Sequence, residues 1–142
     1  MAGFSKALSQ AIFDATLAAS RTTLAAKPGV YMSLHTAAPD DNAAGNEATY
    51  AGYARVSIAA AMASSTVGVA PEQSIRATNT TDINFPASTG ATQTVTHWAI
   101  WSDSALTAGS NLMYSGELSA ARSVQSGDVV VIPAGNLQID IS

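Results

Sequence analysis

The chain has 142 residues, a formal net charge of -4 and only 11% charged residues. That length suits one domain with a single core, and the absence of cysteine excludes both disulfides and thiolate metal sites. The basic residues Lys6, Arg21, Lys27, Arg55, Arg76 and Arg122 are scattered, which argues against direct nucleic-acid binding, and no apolar run approaches the roughly 20 residues that cross a bilayer.

A charged fraction well below the roughly 25% of ordinary domains leaves a surface poorly defended against association, as suits a protein covered in an assembly. At the front, Phe4, Leu8, Ala11, Ile12, Ala15 and Ala19 form one stripe, so a helix is predicted from Ser5 to Ala19. Asp14 interrupts its apolar part, which fits an amphipathic helix better than a signal peptide. Residues 1–28 are read as this helix and a connector ending in the Pro28-Gly29 turn, appended to a β domain over 29–142.

The first strand is predicted over Gly29 to Thr36, with Val30, Met32 and Leu34 on a core face and Tyr31, Ser33 and His35 on a partly polar one. Turn formers fill Ala37 to Thr49. A strand is expected from Tyr50 to Ala59, with Tyr50, Ala54, Val56 and Ile58 opposite Tyr53, Arg55 and Ser57. The alanine-rich Ala59 to Ala63 stays open between helix and strand. Short β segments follow at Thr66 to Val69, Ser74 to Thr78 and Thr81 to Phe85.

Gln93 to Asp103, QTVTHWAIWSD, is the expected central strand. Alternation puts Thr96, Trp98 and Ile100 on one face and Val95, His97, Ala99 and Trp101 on the other. Both faces carry bulk, so one is assigned to the core and the other to a second layer or a partner. Ser102 to Ser110 is a loop, and Asn111 to Leu118 is a strand with a bulge at Gly116. Asp128 to Ile132 is apolar on both faces, and Asn136 to Ser142 alternates. The sum is an all-β chain: an antiparallel β-sandwich, with a jelly roll of about eight strands as the specific expectation, preceded by one short N-terminal α-helix.

A search for chemistry returns little. His35 and His97 lie in different strands, and no G-x-S-x-G elbow or H-E-x-x-H motif is present. Asp40, Asp41 and Asn42 with Glu47 resemble a loose calcium cluster but lack the spacing of an EF-hand loop, and a solvated turn is the reading favoured. The strand aromatics could stack sugars, though core or interface is the ordinary use of such residues. No catalytic, cofactor-binding or metal-ligating residue is assigned. The candidate interface comprises Tyr31, Tyr53, Arg55, His97 and Trp101.

The segments SLHTAAP, NEATYAGYARVSI, NFPASTGATQTVTHWAIWSD and LMYSGEL, together covering Gly29 towards the C-terminus, resemble small virion structural proteins of tailed bacteriophages, variously labelled tail-fibre and head decoration or cement proteins. The resemblance implies a non-enzymatic β-sandwich on the outer surface of the capsid, cementing its lattice, with the major capsid protein and a dimeric or trimeric self-association as partners. The alternative within that resemblance is a tail-fibre or baseplate component for host attachment. A glycan-binding or hydrolytic β domain is a third reading.

Overall fold

The computed structural model describes residues 3–17, 29–40, 45–69, 73–104 and 112–141. In chain order the elements are β1 (Gly3–Phe4), α1 (Lys6–Thr16), β2 (Tyr31–His35), β3 (Val56–Ser57), a 3-10 turn (Ala59–Ala61), β4 (Met62–Val67), β5 (Ser74–Asn79), β6 (Ile83–Asn84), β7 (Gln93–Trp101), β8 (Leu112–Val124), β9 (Val131–Ile132) and β10 (Gln138–Ile141). The strands form a five-stranded sheet in the order β1-β8-β7-β2-β3, a three-stranded sheet β10-β5-β4 and a two-stranded sheet β6-β9. Every pairing is antiparallel.

The all-β antiparallel sandwich with one short helix is therefore the architecture observed. Its strands group as five, three and two, whereas a jelly roll divides eight strands between two sheets.

One core lies between the large sheet and the two small ones. Met32, Leu34, Trp98 and Ile100 of β2 and β7 meet Ile83, Phe85, Ile132, Leu137 and Ile139 from the opposite layer. Trp98 and Ile100 share this face two residues apart, as alternation requires. Val95 joins them there, against its predicted place with His97 and Trp101. The reason is a register shift: Val95 pairs with Arg122 but His97 with Glu117, so the pleat is broken around Thr96.

The N-terminal segment contributes a strand to this sheet. β1 pairs with β8, Gly3 opposite Ser115 and Phe4 opposite Tyr114. Ser5 then caps α1 by accepting a hydrogen bond from the Leu8 amide at 3.1 Å, and its own hydroxyl donates to the Leu112 carbonyl. Leu8 packs on the core. The helix, predicted to reach Ala19, ends at Thr16 with Leu17 as its C-cap; Ala18, Ala19 and Pro28 lie outside the described residues.

Several predicted boundaries change for local reasons. Tyr50 to Arg55 is a turn, because Gly52 takes φ 91° and the Tyr53 amide donates to the Tyr50 carbonyl at 2.9 Å. Of the expected strand only β3 remains. Ala59 to Ala63 divides between the two open readings, a 3-10 turn over Ala59–Ala61 followed by the start of β4. The predicted strand from Asp128 to Ile132 reduces to β9, with Val129 49% and Val131 39% exposed, so its second apolar face is not covered.

Gly116 has a use other than the bulge predicted there. The β8 irregularities sit at Met113 and over residues 118–121, while a Cβ on Gly116 would lie 2.8 Å from Cζ2 of Trp98. The glycine leaves room for the indole beside the β8 backbone. Trp98→Ala should accordingly cost about 3 to 5 kcal/mol by opening the core, and Gly116→Ala about 1 to 3 kcal/mol by forcing the indole to move. Urea unfolding of both variants measures this; a Gly116→Ala protein as stable as the parent would separate the glycine from the packing of Trp98.

Candidate interface face and its buried polar layer

The second face of β2 and β7 carries the residues singled out from sequence. Cross-strand pairs on it are Tyr31 with Trp101, Ser33 with Ala99, and His35 with His97. Ala99, Trp101 and Leu112 form a small apolar cluster of their own. Beside β2 runs the segment from Gly45 to Arg55, anchored by the Ala48 amide, which donates to the Leu34 carbonyl at 2.8 Å; its Ala48 and Tyr50 are buried in the main core.

Two hydrogen-bonded groups fill the space. In the first, the Trp101 indole N–H donates to Ser33 Oγ at 2.7 Å, and Ser33 Oγ lies 2.7 Å from His35 Nε2. His35 Nδ1 lies 3.2 Å from the Gly45 carbonyl. A carbonyl only accepts, so Nδ1 carries the proton, and Nε2 of the neutral ring accepts a hydrogen bond from the Ser33 hydroxyl.

In the second group, Arg55 grips Glu47 through Nε to Oε1 and Nη2 to Oε2, both 2.8 Å. Arg55 Nη1 also donates to the Asp103 carbonyl at 3.1 Å. The Tyr53 hydroxyl donates to Glu47 Oε1 at 2.9 Å and accepts from the Leu34 amide at 3.1 Å. The guanidinium sits 4.4 Å from the Trp101 ring centroid, a cation–π contact that joins the groups.

The five candidate interface residues therefore come together, but not as a uniformly open surface. Trp101 is 1% and Arg55 9% exposed; these two, expected on a partner-facing side, are buried in the chain's own fold, with the Arg55 guanidinium over the Trp101 ring. Tyr31, Tyr53 and His97 are half-buried. Thr96 gives its hydroxyl proton to the Thr36 carbonyl at 2.9 Å, so His97 Nδ1, 2.8 Å away, is the donor to Thr96. His97 Nε2 lies 3.6 Å from the exposed Glu117 carboxylate.

Sequence reasoning missed Ser33, His35 and Glu47 as members of this layer, reading the first two as a partly wet strand face. Both Ser33 and His35 are 0% exposed. Glu47, a member of the loose acidic cluster noted from sequence, is occupied by Arg55 and Tyr53, while Asp41 and Asn42 lie outside the described residues. The Ser33–His35 contact has the reach of a nucleophile and its base. Its serine oxygen, however, is sealed from solvent and already receives the Trp101 N–H, which leaves no approach for a substrate carbonyl.

Burial sets the protonation states. Desolvation lowers the His35 pKa below its ordinary 6.5, outweighing the Gly45 carbonyl and the Glu47 charge. Burial pushes the Glu47 carboxyl up, but the hydrogen bonds and charge of Arg55, with the Tyr53 hydroxyl, hold it below its usual 4.5. Tyr53 is raised by burial and by Glu47.

A groove of about 390 Å³ opens on another side of the molecule, between the irregular part of β8 and β9 and β10. Trp98, Gly116 and Leu137 line it together with Glu117, Arg122 and Gln138.

The fold and this inward-turned polar layer define a structural β module, with its hydrogen-bonding chemistry directed at its own strands. A family model described as "Podophage GP4 fiber I protein gp80" matches residues 3–140. The chain belongs to that family, and it is a phage virion structural protein. No curated protein matches it.

Two predictions follow from the layer's burial. Arg55→Ala leaves the Glu47 carboxylate buried and unpaired, at about 3 to 5 kcal/mol, and Trp101→Ala should cost a similar ~3 to 5 kcal/mol, as for any large buried aromatic; denaturant midpoints of the isolated protein decide, and a Trp101→Ala variant that unfolds like the parent would contradict the packing. The second concerns pH. Both His35 and Glu47 have folded pKa values below their unfolded ones, so the unfolded chain binds more protons in acid and stability falls as pH drops, first below 6.5 for His35 and then below 4.5 for Glu47. Between about pH 7 and pH 5, His35→Gln should be less stable than the parent but show a flatter pH dependence, read from urea midpoints at each pH.

Proposed function

We propose that the chain is a non-enzymatic component of the tail-fibre apparatus of the virion, contributing to host attachment. The observation that carries this reading is the family match over residues 3–140, whose description names a fibre protein. The structure is compatible with it in a specific way. An assembly module needs a stable core and faces that desolvate cheaply, and here buried ion pairing is directed inward, at Arg55 and Glu47, beneath a sparsely charged exterior. Binding to the major capsid protein, the expectation raised by the decoration-like resemblance, has no comparable observation in its favour.

Antibody carrying a gold label, bound to intact particles, tests the position. Label at the tail supports the fibre reading; label distributed over the shell would replace it with capsid decoration. The non-enzymatic part predicts no turnover above background on ester, peptide and glycosidic substrates. Activity that disappears in Ser33→Ala while the fold persists would overturn it.

A further inference from the structure

We propose that the trough between β8 and β9 is a strand-accepting site, which takes an extended peptide segment of another protein carrying an acidic residue for Arg122. The groove at Trp98 and Gly116 does not end there. It continues along β8 into a second recess of about 320 Å³, and Arg122, Val130 and Val131 line both. Together the recesses follow β8 from Gly116 to Val124, with residues between 128 and 138 on the opposite side. The trough exists because the chain turns after β8 and sends the two arms of the turn to different sheets. The Asp128 amide donates to the Gln125 carbonyl at 3.0 Å, closing the turn. β8 then pairs with β7, while β9 pairs with β6. No ladder joins the two arms among the described residues, and the gap between them stays open.

Both walls present unpaired backbone. Each residue of an antiparallel strand sends its N–H and C=O to the same side, and neighbours alternate. The Phe85 amide donates to the Val130 carbonyl at 2.9 Å, so the groups of Val130 and Ile132 face β6, and those of Val131 face the trough. On β8, the Ser5 amide donates to the Met113 carbonyl at 3.0 Å, which turns the groups of Met113, Ser115 and Glu117 away from β7. β1 occupies that side of β8 only as far as Ser115, opposite Gly3. Glu117 lies beyond its end. A strand laid in the trough therefore pairs with β8 on one side and β9 on the other, joining the five-stranded and two-stranded sheets. In strand addition of this kind, backbone hydrogen bonds supply affinity and alternate side chains supply specificity.

A strand held between two walls needs both of its edges free. Among the described residues every strand is already paired on at least one edge, so the occupant is a segment unpaired before it binds, and not a folded strand of a second copy. A saccharide is disfavoured by the floor of the trough: Trp98 is 7% exposed and offers no open ring face for stacking. Charge sets the side chains. Arg122 lines both recesses and makes no ion pair among the described residues, whereas Arg55 and Arg76 are paired with Glu47 and Asp140. An acidic side chain on the peptide supplies the missing counter-ion. Glu117, 77% exposed, repels a second acidic residue at its end of the trough. The same two charges make the site selective, because a basic strand meets Arg122 as a like charge.

The inference is independent of where on the virion the chain sits, and purified full-length protein tests it. The probe is a displayed library of linear peptides of about 10 residues, long enough to follow β8 across the trough at roughly 3.3 Å per residue. Selected peptides should share an acidic residue among alternating β-formers. Measured by fluorescence anisotropy, Arg122→Glu should weaken their binding about tenfold or more. Replacing the peptide's acidic residue by lysine should restore binding to Arg122→Glu, and N-methylation of alternate peptide amides should abolish binding to the parent. Val131→Pro removes a trough-facing N–H without touching the β6 ladder and should weaken binding with an unchanged circular dichroism spectrum. If Val131→Pro does not fold, Arg122→Glu and the N-methylated peptides carry the comparison. A library that returns no binder overturns the proposal, as do peptides indifferent to both Arg122→Glu and N-methylation. Glycan-array binding or a dimer that is lost in Arg122→Glu would overturn it too, by giving the trough to a saccharide or to a second copy.

Discussion

From Trp98 to Trp101, β7 is buried on both faces of its sheet. Most antiparallel sheets keep one face wet, so this strand needs two covers made in different ways. On the Trp98 and Ile100 face the smaller sheets supply an apolar layer. On the Ala99 and Trp101 face there is no second sheet among the described residues, and the Trp101 ring is met by Arg55, which grips Glu47; both come from the Gly45 to Arg55 loop, whose Ala48 and Tyr50 are buried in the main core. A loop brings peptide and polar groups with it, and each must find a partner once buried. The hydrogen-bonded layer of Ser33, His35, Glu47, Tyr53 and Arg55 is the consequence. No buried side-chain polar atom among the described residues lacks a partner.

Arginine suits the position over Trp101 for physical reasons. Its guanidinium is flat, more weakly hydrated than an ammonium group, and able to stack on an indole while holding a carboxylate in bidentate fashion. Lysine at this position could supply the charge but neither the stack nor the fork. The same geometry explains why Glu47 is ionised despite burial, and why Tyr53 must donate its proton: its oxygen already receives the Leu34 amide, and the carboxylate can only accept.

Much of the β architecture was legible because period-two alternation is a local signal. Met32 with Leu34, and Trp98 with Ile100, could be assigned to a core face from residue spacing alone. The misreadings fall where a distant contact overrules the local pattern. Val95 changed sides because β8 inserts extra residues opposite Thr96, a feature encoded on the partner strand. Ser33 and His35 could be read only as part of a partly polar strand face, because their partners are not local: Trp101, 68 residues from Ser33, and Gly45, 10 residues from His35. Tyr50 to Arg55 alternated like a strand, and only the φ of Gly52 turned it. One signal could have exposed the layer: in a chain this poor in charge, an arginine between alanine and valine, eight residues after a glutamate, invites the question of what it pairs with.

The use of charge extends beyond this layer. Arg76 and Asp140 form a bidentate pair across β5 and β10, with oxygen to nitrogen distances of 2.7 Å. Asp128 accepts from the Gln125 amide, closing a turn, and Asp82 accepts from the Ala134 amide, tying two distant segments together, each at 2.9 Å. Exposed contacts of this type add little stability individually, but they fix turns and strand register. Ionised groups that are already neutralised or hydrogen-bonded within the chain present less uncompensated charge to an approaching surface. For a virion protein the effect is favourable: contacts can form by excluding water from neutral Ser, Thr and Ala faces, without stripping solvent from unpaired ions. The cost of this arrangement is weak protection against unwanted pairing, and that makes the distribution of the few charged edge residues, Glu117, Arg122 and Asp140, a determinant of which edges stay closed to other strands.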